Sequence, residues 1–238
     1  MRDSWRHFVA EFIGIFALVF VGGAAIMVAV QTQAPNALLD VAVAHGLILA
    51  LMVTATMRIS GHLNPAVTIG FLAARRIEPM MAVVYIIAQL LGAALAAYAL
   101  KAIFPAAIAD TTRLGGQSVA AELSTGQAIF AEAIATFFLT FVVFGTAVDP
   151  KAPKVGGFAI GLVVTADILA IGPLTGASMN PARSFGPAVV SGVLEGQMIY
   201  WVGPIIGSII AAVLYDQLFL RRGIEPVEHG AVRPRDKA

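Results

Sequence analysis

Two stretches decide how this chain is read: Gly61-His62-Leu63-Asn64-Pro65-Ala66-Val67-Thr68 and Gly176-Ala177-Ser178-Met179-Asn180-Pro181-Ala182-Arg183-Ser184-Phe185-Gly186-Pro187. Each contains Asn-Pro-Ala, once as Asn64, Pro65 and Ala66 and once as Asn180, Pro181 and Ala182. Read locally, the tripeptide starts a helix, because Asn is a favoured N-cap and Pro suits the first helical position. Val67, Ile69 and Phe71 follow one copy; Phe185, Val189 and Val190 follow the other. Each apolar run lasts about ten residues before polar or breaking residues, or about 15 Å of helix, half a membrane thickness.

The rest of the chain supplies the membrane. Of its 238 residues, 59% are hydrophobic and 12% charged, against about 45–50% and about 25% in soluble domains. Six long apolar stretches run over 9–30, 38–58, 80–100, 127–148, 155–173 and 198–220. Each is close to the length that crosses about 30 Å of hydrocarbon. The first has no convincing cleavage site and exceeds a signal-peptide core, so it reads as retained. Residues 221–238 read as a flexible cytoplasmic tail. With both termini inside, the inner side holds twelve of the 15 basic residues: Arg2, Arg6, Arg58, Arg75, Arg76, Lys151, Lys154, Arg221, Arg222, Arg233, Arg235 and Lys237. The outer side holds Lys101, Arg113 and Arg183. The positive-inside rule therefore puts both termini in the cytoplasm, and the expected location is the plasma or inner membrane. The net charge of +1 gives no reason to expect a nucleic-acid partner.

The sequence is written twice. Ala10-Glu11 recurs as Ala131-Glu132, Asn64-Pro65-Ala66 as Asn180-Pro181-Ala182, and Ala88, Gly92 and Ala96 as Gly203, Gly207 and Ala211, at offsets of 121, 116 and 115 residues. The halves are about 1–118 and 119–238 of one domain spanning 1–238. Three spans per half leave the second half upside down, giving inverted repeats whose working site lies at their interface near the midplane. The small residues at four-residue spacing suit close helix packing. The two Asn-Pro-Ala segments then dip in from opposite faces as half-helices whose N-termini meet. Non-helical backbone at that depth must be buried in protein or line water. Two helix N-termini place a positive field at the centre, which repels cations. The amides of Asn64 and Asn180 can each donate to a passing water, and a water accepting from both cannot relay a proton.

On these residues the chain resembles the aquaporin, or major intrinsic protein, family over nearly its whole length. The resemblance implies an all-α membrane protein of six transmembrane helices and two half-helices, in two inverted repeats. It implies a passive, cofactor-free, metal-free homotetramer with one pore per subunit, working within the lipid bilayer, that passes water and excludes protons and ions. Asn64 and Asn180 become the central pore asparagines, and Arg183 becomes the filter cation. The remaining filter positions fall on His45, Ile168 and Ala177. The set His45, Ile168, Ala177 and Arg183 is similar to that of the plant tonoplast group, and its wider opening suggests ammonia and hydrogen peroxide as further solutes. Ser184, Ala188 and the pair Tyr200-Trp201 resemble the water subgroup rather than the glycerol channels, although the inferred width leaves room for glycerol.

Two register questions stay open at this level. His45 stands 19 residues before Asn64, one fewer than is usual in the family, and a strict count selects Ala44. Likewise Asp167 or Ile168 could face the filter, and a pore-facing Asp167 would favour cations. Glu11 and Glu132 are intramembrane carboxylates, for which function or pairing is the default. They either couple proton transport or accept hydrogen bonds from loop backbone or from His62. The family favours the structural role, with His62 ordering its loop. A serine protease reading of Ser178 fails because no helical histidine is placed to activate it. The chain contains no cysteine, so thiol-directed mercurials should leave flux unchanged; inhibition reversed by a reductant would contradict this.

Overall fold

A computed structural model describes residues 4–153 and 155–220. Arg2, Lys154, Arg221, Arg222, Arg233, Arg235, Lys237 and the expected tail over 221–238 lie outside the described residues.

Among the described residues the structure is helical throughout. Six helices are long and apolar enough to cross a membrane: Ser4–Thr32, Ala37–Thr56, Pro79–Ile103, Thr125–Val148, Gly156–Thr175 and Ile199–Leu220. The first begins earlier than the hydropathy reading placed it. Trp5, Arg6 and His7 continue the helix below the apolar run, since no Pro or Gly from Ser4 to His7 breaks it. The fourth and sixth end in one π-helical turn each, Phe144–Val148 and Asp216–Leu220.

We label α1 Ser4–Thr32, α2 Ala37–Thr56, α3 Pro65–Ala73, α4 Pro79–Ile103, α5 Ala106–Thr111, α6 Thr125–Val143, α7 Gly156–Thr175, α8 Pro181–Ser191 and α9 Ile199–Tyr215. The two Asn-Pro-Ala segments open α3 and α8, of 9 and 11 residues. These are the half-helices that the breaker pattern predicts.

The packing pattern carries the internal symmetry. α1 packs on α4 as α6 packs on α9; α3 packs on α9 as α8 packs on α4; α1 meets α2 as α6 meets α7. The α2–α7 contact maps onto itself, so the pseudo-two-fold axis runs between those two helices.

Small residues let the helices approach. A Cβ on Gly92 would meet Ile15 and the Phe12 carbonyl of α1, and one on Gly203 would meet the Ile129 carbonyl of α6 at 2.6 Å. The small-residue rows therefore pack against helices rather than face lipid. Across the most apolar 18 residues of each spanning helix, only 33% to 44% are buried. The remainder displays large apolar side chains such as Leu51, Leu91, Phe138, Leu162 and Ile210. A soluble surface rarely carries apolar patches of that extent.

Candidate functional site

The site is built where the two half-helices meet. Each begins with an Asn whose side chain caps its own helix: Asn64 Oδ1 accepts from Ala66 N–H at 2.9 Å. Asn180 Oδ1 accepts from Ala182 and Arg183 N–H at 3.0 and 3.3 Å. Each amide then donates across the axis. Asn64 Nδ2 donates to the Met179 carbonyl and Asn180 Nδ2 to the Leu63 carbonyl, both at 2.8 Å. This sharpens the sequence expectation. One hydrogen of each amide ties the halves together, leaving the second uncommitted by these bonds.

Leu63 and Met179, just before the asparagines, have φ of 48° and 53°. Bulky residues seldom adopt this left-handed conformation, which costs on the order of 1–3 kcal/mol. Something must hold them, and the two buried glutamates do. Glu11 accepts from Leu63 N–H at 2.6 Å and His62 N–H at 2.8 Å. It also accepts from the Ser60 hydroxyl, and from Gln89 Nε2 at 2.6 Å. Glu132 accepts from Met179 N–H at 2.7 Å, Ser178 N–H at 2.9 Å and the Thr175 hydroxyl at 2.7 Å. Both glutamates are fully buried. The backbone of His62, not its ring, reaches Glu11. The ring instead packs on Phe71 with centroids 4.1 Å apart, and Nδ1 lies 3.2 Å from the Thr68 hydroxyl. Because that hydroxyl donates to the Asn64 carbonyl, the ring donates to it.

The residues expected at the pore share one cavity. Its wall includes His45, His62, Asn64, Ile168, Ala177, Asn180 and Arg183, completed by Leu18, Leu49, Val67, Leu139, Val143 and Val164 among others. The two residues in each register question differ in where the structure places them. His45 is buried on the cavity wall, while Ala44 is half-exposed and absent from it. Ile168 lines the cavity, whereas Asp167 is buried beside it and does not. Its Oδ2 has no protein partner.

His45 and Arg183 form a pair. Arg183 Nη2 lies 2.9 Å from His45 Nε2, and His45 Nδ1 lies 2.8 Å from the Val41 carbonyl. Nδ1 must donate to that carbonyl, so Nε2 is free to accept from the guanidinium, as in a neutral imidazole. Arg183 Nη1 is buried with no protein partner, a donor left over on a residue that lines the cavity.

The sequence reading missed the partners. Ser60, Gln89, Thr68 and Thr175 complete the glutamate networks, and Tyr200 donates to the Thr175 carbonyl at 2.8 Å. Ser60 and Thr175 sit four and five residues before the asparagines, a correspondence visible in the repeat. Gln89 carries no such mark, because its contacts are long-range.

The sequence pattern and this geometry match a known group. A family model for the major intrinsic proteins matches residues 1–215. The chain belongs to the major intrinsic protein family. One relative, named a probable aquaporin TIP3-2 of Arabidopsis thaliana, is 40% identical over 246 residues, covering 98% of this chain and 90% of the relative. Aquaporin TIP4-4 of Zea mays is 42% identical, covering 92% of this chain and 88% of the relative. The X-ray structure of the aquaglyceroporin from Plasmodium falciparum matches with a TM-score of 0.81 at 25% identity, covering 91% of this chain and 97% of that one. Like other major intrinsic proteins, this one is a multi-pass integral membrane protein and not an enzyme.

Glu132→Ala would strand the Thr175 hydroxyl and two backbone N–H groups. At about 1–3 kcal/mol per unmet buried group, the loss should reach about 3 kcal/mol or more. Glu132→Gln keeps an acceptor oxygen and should lose less. Thermal unfolding of the purified variants in detergent measures both, and equal losses would mean the side chain is not acting as an acceptor.

Proposed function

We propose that this major intrinsic protein is a passive water channel. Its conduit is the cavity that joins the two asparagines to the His45–Arg183 pair. That shared cavity is the observation that carries the reading, and the names of the aquaporin relatives support it. Water enters single file past apolar walls and meets Asn64 and Asn180 at the centre. Each asparagine offers one amide hydrogen, because the other is committed across the axis. The N-termini of α3 and α8 add a positive field that cations must climb. His45, Ile168, Ala177 and Arg183 form the selectivity filter, where the guanidinium repels cations and offers donors to water. His62, Glu11 and Glu132 hold the pore loops.

Ile168 and Ala177 present little bulk at the filter. This supports passage of small neutral solutes beside water, with ammonia and hydrogen peroxide foremost and glycerol within the range to be tested. The domain is read as one unit over 1–238, its repeats dividing near 118. The exposed apolar faces suit a bilayer and a homotetramer with one pore per subunit. Both termini are assigned to the cytoplasm and the host to the plasma or inner membrane.

Stopped-flow shrinkage of proteoliposomes tests the core reading. Water flux should exceed that of empty vesicles without proton leak, and ammonia and peroxide should cross as well. Arg183→Ala should admit cations or protons that the parent excludes. Solute accumulation against a gradient, abolished in Glu11→Gln, would instead make the chain a coupled transporter. For location, a tagged chain should fractionate with plasma or inner membrane and expose its N-terminal tag to cytoplasmic protease. Recovery in vacuolar membrane would overturn that assignment.

A further inference from the structure

Glycine is poorly suited to a helix interior, yet α1 carries Gly22 and Gly23 in succession, both buried. Gly23 has a packing reason: a Cβ there would meet Leu100 at 2.6 Å and the Leu114 carbonyl at 3.1 Å. Gly22 faces something else. All three of the nearest atoms that its Cβ would meet belong to the imidazole of His45, with Cδ2 at 2.5 Å, Cε1 at 2.7 Å and Nε2 closer still. Nε2 is the atom that accepts from Arg183. The His45 ring therefore occupies the notch that a missing side chain leaves on α1.

The ring has little freedom to adapt. Its other nitrogen is bonded to the Val41 carbonyl of its own helix, and the residue is 1% exposed. On its open side the ring lines the cavity. A methyl group at position 22 would drive the imidazole off α1 and toward that cavity. The shift would strain the bond to Arg183 and narrow the opening at once.

We propose that Gly22 is a specificity-determining position of the filter, although α1 supplies none of the four filter residues. It is a positioning residue that acts through His45, and the inference rests on the channel reading above. By accepting the ring, it keeps the filter wide enough for solutes larger than water and keeps Nε2 aligned with the guanidinium. A bulkier residue at this point of α1 makes a narrower channel from the same four filter residues.

The test compares Gly22→Ala, Gly23→Ala, His45→Ala and the double variant Gly22→Ala/His45→Ala in proteoliposomes, reading water shrinkage and hydrogen peroxide entry. Gly22→Ala should lower peroxide entry about ten-fold, the effect of one methyl group in a tight pocket, and water flux by less. Gly23→Ala adds the same methyl one residue away and should keep the parent's peroxide-to-water ratio. With His45 already alanine there is no ring to displace, so adding Gly22→Ala should change nothing, as a double-mutant cycle reveals. An unchanged ratio in Gly22→Ala, or an equal fall in both backgrounds, would overturn the proposal. If Gly22→Ala fails to accumulate, folded yield is read instead. Rescue by His45→Ala supports the proposal and failure in both backgrounds refutes it. If the parent passes water alone, water flux carries the same comparison. A parent that passes neither refutes the channel reading and not the role of Gly22.

Discussion

Backbone that leaves the helix in the middle of a membrane must find partners within the protein, because lipid offers none. The rest of this structure follows from how two loops meet that demand. Each loop turns through a left-handed residue, Leu63 or Met179, and each of those residues is held at both ends. Its N–H goes to a buried glutamate on the first helix of its own half. Its carbonyl goes to the asparagine that opens the opposite half-helix. The glutamates could read as proton carriers from sequence alone. In place they are acceptors engaged by loop backbone and neighbouring side chains, with three partners on Glu132 and four on Glu11.

In the proposed channel, this scaffold lets the meeting point of the half-helices handle charge through asparagine amides rather than a carboxylate. The donors at the midplane are amides and helix ends, fixed in direction by the same hydrogen bonds that join the halves. The only cation on the cavity wall, among the described residues, is Arg183. It is held by a neutral imidazole rather than by a carboxylate. An acidic partner would offset the charge on which the proposed filter relies, whereas His45 accepts from the guanidinium and leaves its charge intact.

Much of this was legible in the sequence because it is local or repeated. The half-helices announce themselves through Asn-Pro-Ala and their short apolar runs, and the inverted symmetry through the recurrence of Glu11 as Glu132. Which helix residues line the cavity was not legible. One residue along a helix is a rotation of about 100°, so Ala44 against His45 and Asp167 against Ile168 are decided by how α2 and α7 pack, which hydropathy does not encode. The contacts of Gln89 and Gly22 were hidden for a related reason. Each depends on a contact with another helix, and an uninterrupted apolar run does not say which of its residues lies opposite a ring or a carboxylate.

The crossed asparagine bonds have a consequence for how such a chain could exist at all. Either half alone would end at mid-bilayer with a carbonyl lacking its donor and an amide lacking its acceptor. The matching groups are offered only by the same segment turned over. A lone half is thus a self-complementary fragment, at rest only against an inverted copy of itself. The linker near residue 118 makes that antiparallel pairing intramolecular, converting an encounter between two inserted molecules into the closing of one.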